Sequence, residues 1–184
     1  MSSRPIPPRR HFLRHSVSLA AGAVSGLAKP ARAAMPGARG VAMAHTHTRE
    51  QIDLVYAVQE RFVPESLGLL NRFLRDHYTG EVGVIDPQVF ELLHRVRQVL
   101  GSTAAYEVIS GYRGAATNSL LRATRGGGVA SKSLHMEGRA IDVRLPGVAL
   151  ADLRDAAKSL RAGGVGYYPG ERFVHIDTGR VRHW

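Results

Sequence analysis

Two short segments near the end of the chain alternate between apolar and polar side chains, and they constrain the fold more than any other part of the sequence. In RAIDVRL, residues 139–145, every second side chain is aliphatic, and FVHID, residues 173–177, repeats the pattern. Period-two alternation is typical of strands with one face on a core. If the two strands pair, Asp142 and His175 emerge on the polar face. A buried carboxylate beside an imidazole needs a partner that compensates its charge, and a single divalent cation can bind both groups.

The earlier segments have the spacing of helices instead. Apolar residues recur every three or four positions over 64–77 and again after Asp86-Pro87, until Gly101 ends the second run. Three further segments fit regular elements: 105–110 as a strand, and 115–123 and 148–162 as helices. This order predicts one α+β domain, in which N-terminal helices pack on a small antiparallel sheet.

Composition excludes several kinds of site. The chain has no cysteine, so disulfides, thiolate metal sites and a cysteine nucleophile are ruled out, and a metal must bind through nitrogen and oxygen. The net charge of +10 at first suggests a polyanionic partner, but residues 1–33 hold six basic residues and no acid, which leaves only +4 on the rest. Because no basic stripe alternates with aromatic residues, we expect no nucleic-acid binding.

The N-terminus has the pattern of an export signal. RRHFL, residues 9–13, precedes a short apolar run over 16–28 and a small-x-small site, ARA, at 31–33. This pattern predicts a twin-arginine signal over residues 1–33, with AMA at 42–44 as a later cleavage site. A basic tail or an uncleaved anchor is the alternative. We therefore expect a periplasmic or envelope protein without a permanent membrane span, in which an arm over 34–63 precedes a domain over 64–184.

Four histidines lie between residues 45 and 94. His45 and His47 occur in AHTHTRE, where a polar strand or arm is favoured over a metal-binding tract. His77 and His94 fall in the predicted helices, and we interpret them as surface or interface residues.

A third candidate ligand precedes the first late strand. His135 adds a second imidazole, and two imidazoles with one carboxylate leave a fourth zinc position open, as in catalytic zinc sites. The spacing alone is weak evidence, so a polar strand face with ordinary salt bridges stays open as the alternative.

Longer motifs favour the metal site. SLHMEGRAID, residues 133–142, resembles the SxHxxGxAxD motif of the D-Ala-D-Ala metallopeptidase (LAS) superfamily, whose members cut peptide bonds in bacterial cell-wall stem peptides. With VISGYR at 108–113 and GGVGYYPGERFVHIDTGRVRHW at 163–184, the pattern is similar to that of the YcbK-like murein endopeptidases. The resemblance covers residues 64–184. It implies a hedgehog/D-Ala-D-Ala peptidase-like fold and one Zn²⁺ per chain.

The resemblance also implies roles for individual residues. His135, Asp142 and His175 correspond to the zinc ligands, and Ser133 to a supporting hydrogen-bond group. Arg113, from SGYR, corresponds to the residue that stabilises the developing oxyanion, which a guanidinium fork suits well. A structural salt bridge is the alternative role for Arg113.

The general base does not transfer from the resemblance. The superfamily places a Glu or His two or three residues before the last ligand, where this chain has Phe173 and Arg172. The candidates are Asp177, which is slightly preferred and could instead orient His175, and Glu171.

Taken together, the resemblance implies a zinc-dependent murein endopeptidase that cuts stem-peptide cross-links during cell-wall growth or remodelling. The alternatives are a non-catalytic zinc-containing module that binds peptidoglycan, and a D,D-carboxypeptidase. We expect peptidoglycan as the partner and a monomeric protein.

Overall fold

The fold was examined in a computed structural model, which describes residues 35–124 and 129–184. The predicted export signal lies outside the described residues. The helices are α1 Pro64–Phe73, α2 Pro87–Val99, α3 Ala115–Thr124 and α4 Leu150–Ser159. The strands are β1 Ala38–His45, β2 Gln51–Val58, β3 Arg61–Phe62, β4 Tyr106–Ser110, β5 Ala140–Arg144, β6 Gly164–Tyr168, β7 Phe173–Asp177 and β8 Arg182–His183. No helix in the described ranges is long and apolar enough to cross a membrane.

All eight strands belong to one sheet, in the order β3-β2-β1-β4-β5-β7-β6-β8. The predicted α+β class is confirmed, but the sheet is larger than expected and mixed, because β1 pairs with β4, and β6 with β8, in parallel. Parallel pairing joins segments that are distant in the chain. Local periodicity therefore gave no sign of these two pairings.

The segment expected to form an N-terminal arm, residues 34–63, instead supplies three strands of the sheet. β1 and β2 form an antiparallel hairpin, and β1 joins this hairpin to β4. Val41 and Met43 of β1 are buried in the core. The segment is held by main-chain pairing and by apolar burial, so it is part of the domain. Cleavage after Ala44 would remove most of β1, whereas cleavage after Ala33 leaves the sheet whole.

One face of the sheet is covered by helices. α2 and α4 pack against each other, and α4 also packs on β6 and β7. Ile141 and Val143 of β5, together with Val174 and Ile176 of β7, are buried in this core, as the alternation predicts. The opposite side chains of β5 and β7 are therefore on the other face, where Asp142 and His175 lie.

His45 and His47 of the β1–β2 hairpin form a separate cluster with His77, which follows α1 instead of lying within the helix as predicted. His45 is buried, and its Nδ1 accepts hydrogen bonds from the backbone N–H groups of His47 and Thr48. Burial, together with the charge of His77, lowers the pKa of His45 to about 4, so this imidazole is neutral at pH 7. The rings of His47 and His77 stack at 4.2 Å.

Candidate metal centre

Three elements bring His135, Asp142 and His175 together. β5 and β7 pair in the register that places Asp142 directly opposite His175. A short 3₁₀ helix, Leu134–Glu137, lies just before β5 and carries His135. All three side chains are buried. The strand pairing predicted from the sequence is therefore the feature that creates the cluster.

Gly138 makes the tight connection between the 3₁₀ helix and β5 possible. It ends the helix in the left-handed conformation, with a φ of 65°. A Cβ at this position would overlap the carbonyl of Val84, whose chain lies directly against the turn. Only glycine avoids both penalties. The glycine of the SxHxxGxAxD motif therefore sets the distance between His135 and Asp142.

The three candidate ligand atoms converge on one point. His135 Nε2 lies 3.2 Å from both Asp142 Oδ1 and His175 Nδ1, and His175 Nδ1 lies 2.9 Å from Asp142 Oδ1. In a tetrahedral zinc site with bonds of about 2.0–2.1 Å, two ligand atoms are separated by roughly 3.3 Å. Within the described part of the chain, this is the one group of three or more His, Asp and Glu side chains close enough to hold a metal ion.

The outer hydrogen bonds determine which nitrogen of each imidazole faces this point with a lone pair. His135 Nδ1 donates to the carbonyl oxygen of Gly111 at 2.7 Å, which leaves Nε2 without a proton when the ring is neutral. His175 Nε2 donates to Asp177 Oδ2 at 3.0 Å, which leaves Nδ1 free in the same way. Two nitrogen lone pairs and a carboxylate oxygen therefore meet, and this donor set fits a divalent cation.

The electrostatics of the cluster also favour a cation. Burial by itself raises the pKa of Asp142, but His135 and His175 hold this pKa far below its ordinary value. Burial likewise lowers the pKa of His175, but hydrogen bonds to Asp142 and Asp177 raise it to about 9. The cluster thus stabilises one positive charge, for which a metal ion would compete with a proton.

Asp177 lies on the far side of His175 from the convergence point. It is 0% exposed, and both of its oxygens are engaged. Oδ1 accepts from the backbone N–H groups of Gly164 and Gly179, while Oδ2 receives Arg182 Nη2 at 2.7 Å. Burial raises its pKa, but the hydrogen bond from His175 and those from its other donors lower it well below the ordinary range. This geometry suits orientation of His175 and leaves no oxygen free to accept a proton.

Arg113 lies beside the cluster. Its backbone N–H donates to the carbonyl of His135 at 3.2 Å, and its Nη2 lies 3.8 Å from Asp142 Oδ2. Nη1 also donates to Asn118 Oδ1 at 3.4 Å. The guanidinium is therefore directed toward the oxygen of Asp142 that does not face the imidazoles.

A cleft of about 500 Å³ opens over the three candidate ligands. Ser133 and Glu171 line it, so the structure brings both of these predicted residues to the site. Ser133 precedes the 3₁₀ helix, but its side chain makes no capping hydrogen bond. Glu171 is exposed in the turn between β6 and β7.

Comparison with known proteins agrees with this geometry. A family model described as peptidoglycan L,D-endopeptidase MepK matches residues 33–184. The chain belongs to this peptidase family. The peptidoglycan L,D-endopeptidases MepK of Escherichia coli (strain K12) and Shigella flexneri are each 45% identical over 149 residues, which is 81% of either chain. A probable peptidoglycan L,D-endopeptidase MepK of Haemophilus influenzae is 40% identical over 150 residues, covering 81% of this chain and 80% of the relative. No solved structure gives a significant match.

In this member of the MepK family, the hydrogen bonds that hold the loop around Arg113 in place were not predicted from the sequence. Asp76 is buried, and its Oδ2 accepts from the backbone N–H of Gly114 at 2.9 Å while Oδ1 accepts from that of Tyr78. The backbone N–H of Tyr112 donates to the carbonyl of Leu74 at 2.8 Å. Arg113 is thus fixed on both sides. The only sequence signal is the aspartate in RDHYTG, which is typical of a local Asx turn.

A second part of this MepK-family site was given no role from the sequence. His47 and Trp184 line the cleft although they lie far apart in the chain. His47 follows β1 and Trp184 follows β8, so only the completed sheet brings both to the same cavity.

Proposed function

We propose that this protein is a zinc-dependent peptidoglycan L,D-endopeptidase that hydrolyses stem-peptide cross-links. The observation that carries the proposal is the convergence of two imidazole lone pairs and a carboxylate oxygen beside an arginine, at the base of an open cleft. Membership of a family whose curated relatives are named peptidoglycan L,D-endopeptidases supports the choice of substrate.

In this proposal the metal is held by His135 through Nε2, by His175 through Nδ1 and by Asp142 through Oδ1. Nitrogen and oxygen donors in this number fit zinc with one position left for water or substrate. When bound, zinc supplies a Lewis acid that polarises a scissile carbonyl and lowers the pKa of water. The hydrogen bonds from His135 to Gly111 and from His175 to Asp177 keep both rings in the required orientation.

Arg113 stabilises the negative charge that develops on the carbonyl oxygen of the scissile bond. Its guanidinium lies within 3.8 Å of Asp142 and its backbone is bonded to His135, so it is held next to the ligands before substrate arrives. A donor that is already in place costs little reorganisation during the reaction.

Glu171 is our candidate for carrying the proton to the leaving amine. Among the described residues, two carboxylates line the cleft, those of Asp142 and Glu171. Glu171 is exposed, so it can exchange protons with solvent, whereas both oxygens of Asp177 are engaged. The preference between the two sequence candidates is therefore reversed, and Asp177 becomes a positioning residue.

Changing Asp177 to asparagine is expected to weaken zinc binding by about 10- to 100-fold, because His175 loses the charged acceptor that fixes its tautomer. Competition with a chromophoric chelator measures the dissociation constant. Asp155→Asn is the matched control, since Asp155 pairs with Arg154 on the exposed surface of α4. Equal zinc affinity in Asp177→Asn and the unchanged protein would rule out the positioning role.

Cleavage of defined muropeptides tests the proposed function. The purified protein with one equivalent of zinc is incubated with dimers joined by an L,D bond, with dimers joined by a D,D bond, and with monomeric pentapeptides. We expect monomers from the L,D-linked dimer only. Release of alanine from the pentapeptide would show a carboxypeptidase instead. Binding to sacculi without any release would show the non-catalytic module.

We also propose export by the twin-arginine pathway, with removal of residues 1–33. The family match begins at residue 33, and cleavage there preserves β1, which spans Ala38–His45. Mass spectrometry of the exported protein would identify its first residue. A mature chain that starts at His45 would contradict this site, because most of β1 would be missing.

A further inference from the structure

Trp184 occupies an unusual position for a large aromatic residue. It lines the cleft together with the candidate metal ligands, and its ring centroid lies 5.4 Å from that of His175. It is nevertheless 51% exposed. Tryptophan side chains of this size dominate the energetics of cores and interfaces, so half-exposure beside a reactive centre suggests a surface that a ligand covers.

Several contacts hold the residue in place. The backbone N–H of Trp184 donates to the carbonyl of Val165, and its own carbonyl accepts from Tyr167, which extends the pairing of β8 along β6. The indole N–H donates to the hydroxyl of Tyr168 at 2.8 Å. The guanidinium of Arg182 lies 4.9 Å from the ring centre. The ring is therefore anchored by its backbone, by its polar edge and by a stacked cation.

The strand beneath the indole carries a glycine, Gly166, at the point where the ring lies against it. A Cβ added to Gly166 of β6 would come within 2.7 Å of two ring atoms of Trp184. The absence of a side chain at 166 therefore lets the ring lie close to the sheet and near His175. Since the indole N–H is already satisfied, the ring area that remains open to the cleft is apolar.

We propose that the indole of Trp184 forms an apolar wall of the substrate site, against which an aliphatic side chain of the stem peptide packs next to the scissile bond. The inference rests on the proposed function, because it concerns the same cleft. A ring held in its binding conformation loses little freedom when the peptide binds, so the contact strengthens affinity without a conformational change. The wall contributes binding and no proton transfer.

Kinetics test the wall directly. In Trp184→Ala, KM for the L,D-linked dimer is expected to rise about tenfold with kcat nearly unchanged, because a contact made equally in ground and transition states is lost. Trp184→Phe should restore most of the affinity. Leu69→Ala is the matched control, since Leu69 is an apolar side chain on α1 that is 57% exposed and does not line the cleft. An unchanged KM in Trp184→Ala, with normal zinc content and thermal unfolding, would overturn the inference.

A binding measurement separates this inference from the proposed function. Trp184 is the single tryptophan of the chain, so its fluorescence reports on this wall alone. Titrating the zinc-loaded protein with the disaccharide tetrapeptide monomer should shift the emission saturably. A saturable shift without hydrolysis of dimers would retain the wall and reject the peptidase. Hydrolysis without any shift would reject the wall and retain the peptidase.

Discussion

Asp142→Asn is expected to remove zinc and endopeptidase activity together. The substitution keeps the size of the side chain but removes the negative charge that, together with the lone pairs of His135 and His175, favours a cation at the convergence point. We expect less than about 0.1 equivalent of bound zinc and a loss of at least roughly 1000-fold in kcat/KM, because the Lewis acid is lost with its site. Metal analysis of the dialysed protein and the muropeptide assay measure the two effects.

The control for this prediction lies in the same sequence motif. Glu137→Gln makes the same carboxylate-to-amide change two residues from His135, but the side chain of Glu137 is about half exposed and pairs with Arg139. Zinc content and activity should stay unchanged in this variant. One equivalent of zinc retained by Asp142→Asn would disprove the assignment of Asp142 as a ligand.

Arg113→Lys is expected to lower kcat by about 100-fold while zinc remains bound. Lysine keeps the positive charge but lacks the planar fork that donates two hydrogen bonds, and loss of one oxyanion donor costs about this much. KM should change little, because the contact matters most in the transition state. Steady-state kinetics on the L,D-linked dimer, with metal analysis of the same sample, measure the result.

Arg154→Lys is the matched control, because Arg154 pairs with Asp155 on α4, outside the cleft. If Arg113→Lys retains full kcat, the arginine is a structural ion-pair partner of Asp142, as the alternative from the sequence holds. If the variant loses its zinc, the arginine acts by supporting the ligand Asp142 and not by stabilising the oxyanion.

The pairing of the two late strands could be predicted because its signal is local. Alternation in RAIDVRL and FVHID fixed which side chains face the core, and the structure places Asp142 opposite His175 as that pattern requires. The helices and the strand at 106–110 were also found from periodicity and helix-ending residues. Residues 34–63 were misjudged because their place in the sheet depends on pairing with β4, far along the chain.

The choice between Asp177 and Glu171 also required the folded protein. Both residues lie near His175 in sequence, and alternation puts Asp177 on the same strand face as His175. Only the structure shows that Asp177 contacts Nε2 of the His175 imidazole and is bound by Arg182, whereas Glu171 lines the cleft.

The sequence by itself determined the α+β class, the polar face of β5 and β7, and the candidate ligands His135, Asp142 and His175. The class and the polar face follow from periodicities of a few residues, which operate within one element. The candidate ligands follow from their residue types and from the resemblance of residues 133–142 to the SxHxxGxAxD motif. The tertiary structure decided which imidazole nitrogen faces the metal position, how Asp76 fixes the loop of Arg113, and that Trp184 reaches the cleft. Those features depend on contacts between segments that are distant in the chain, and such contacts exist only after the sheet has formed.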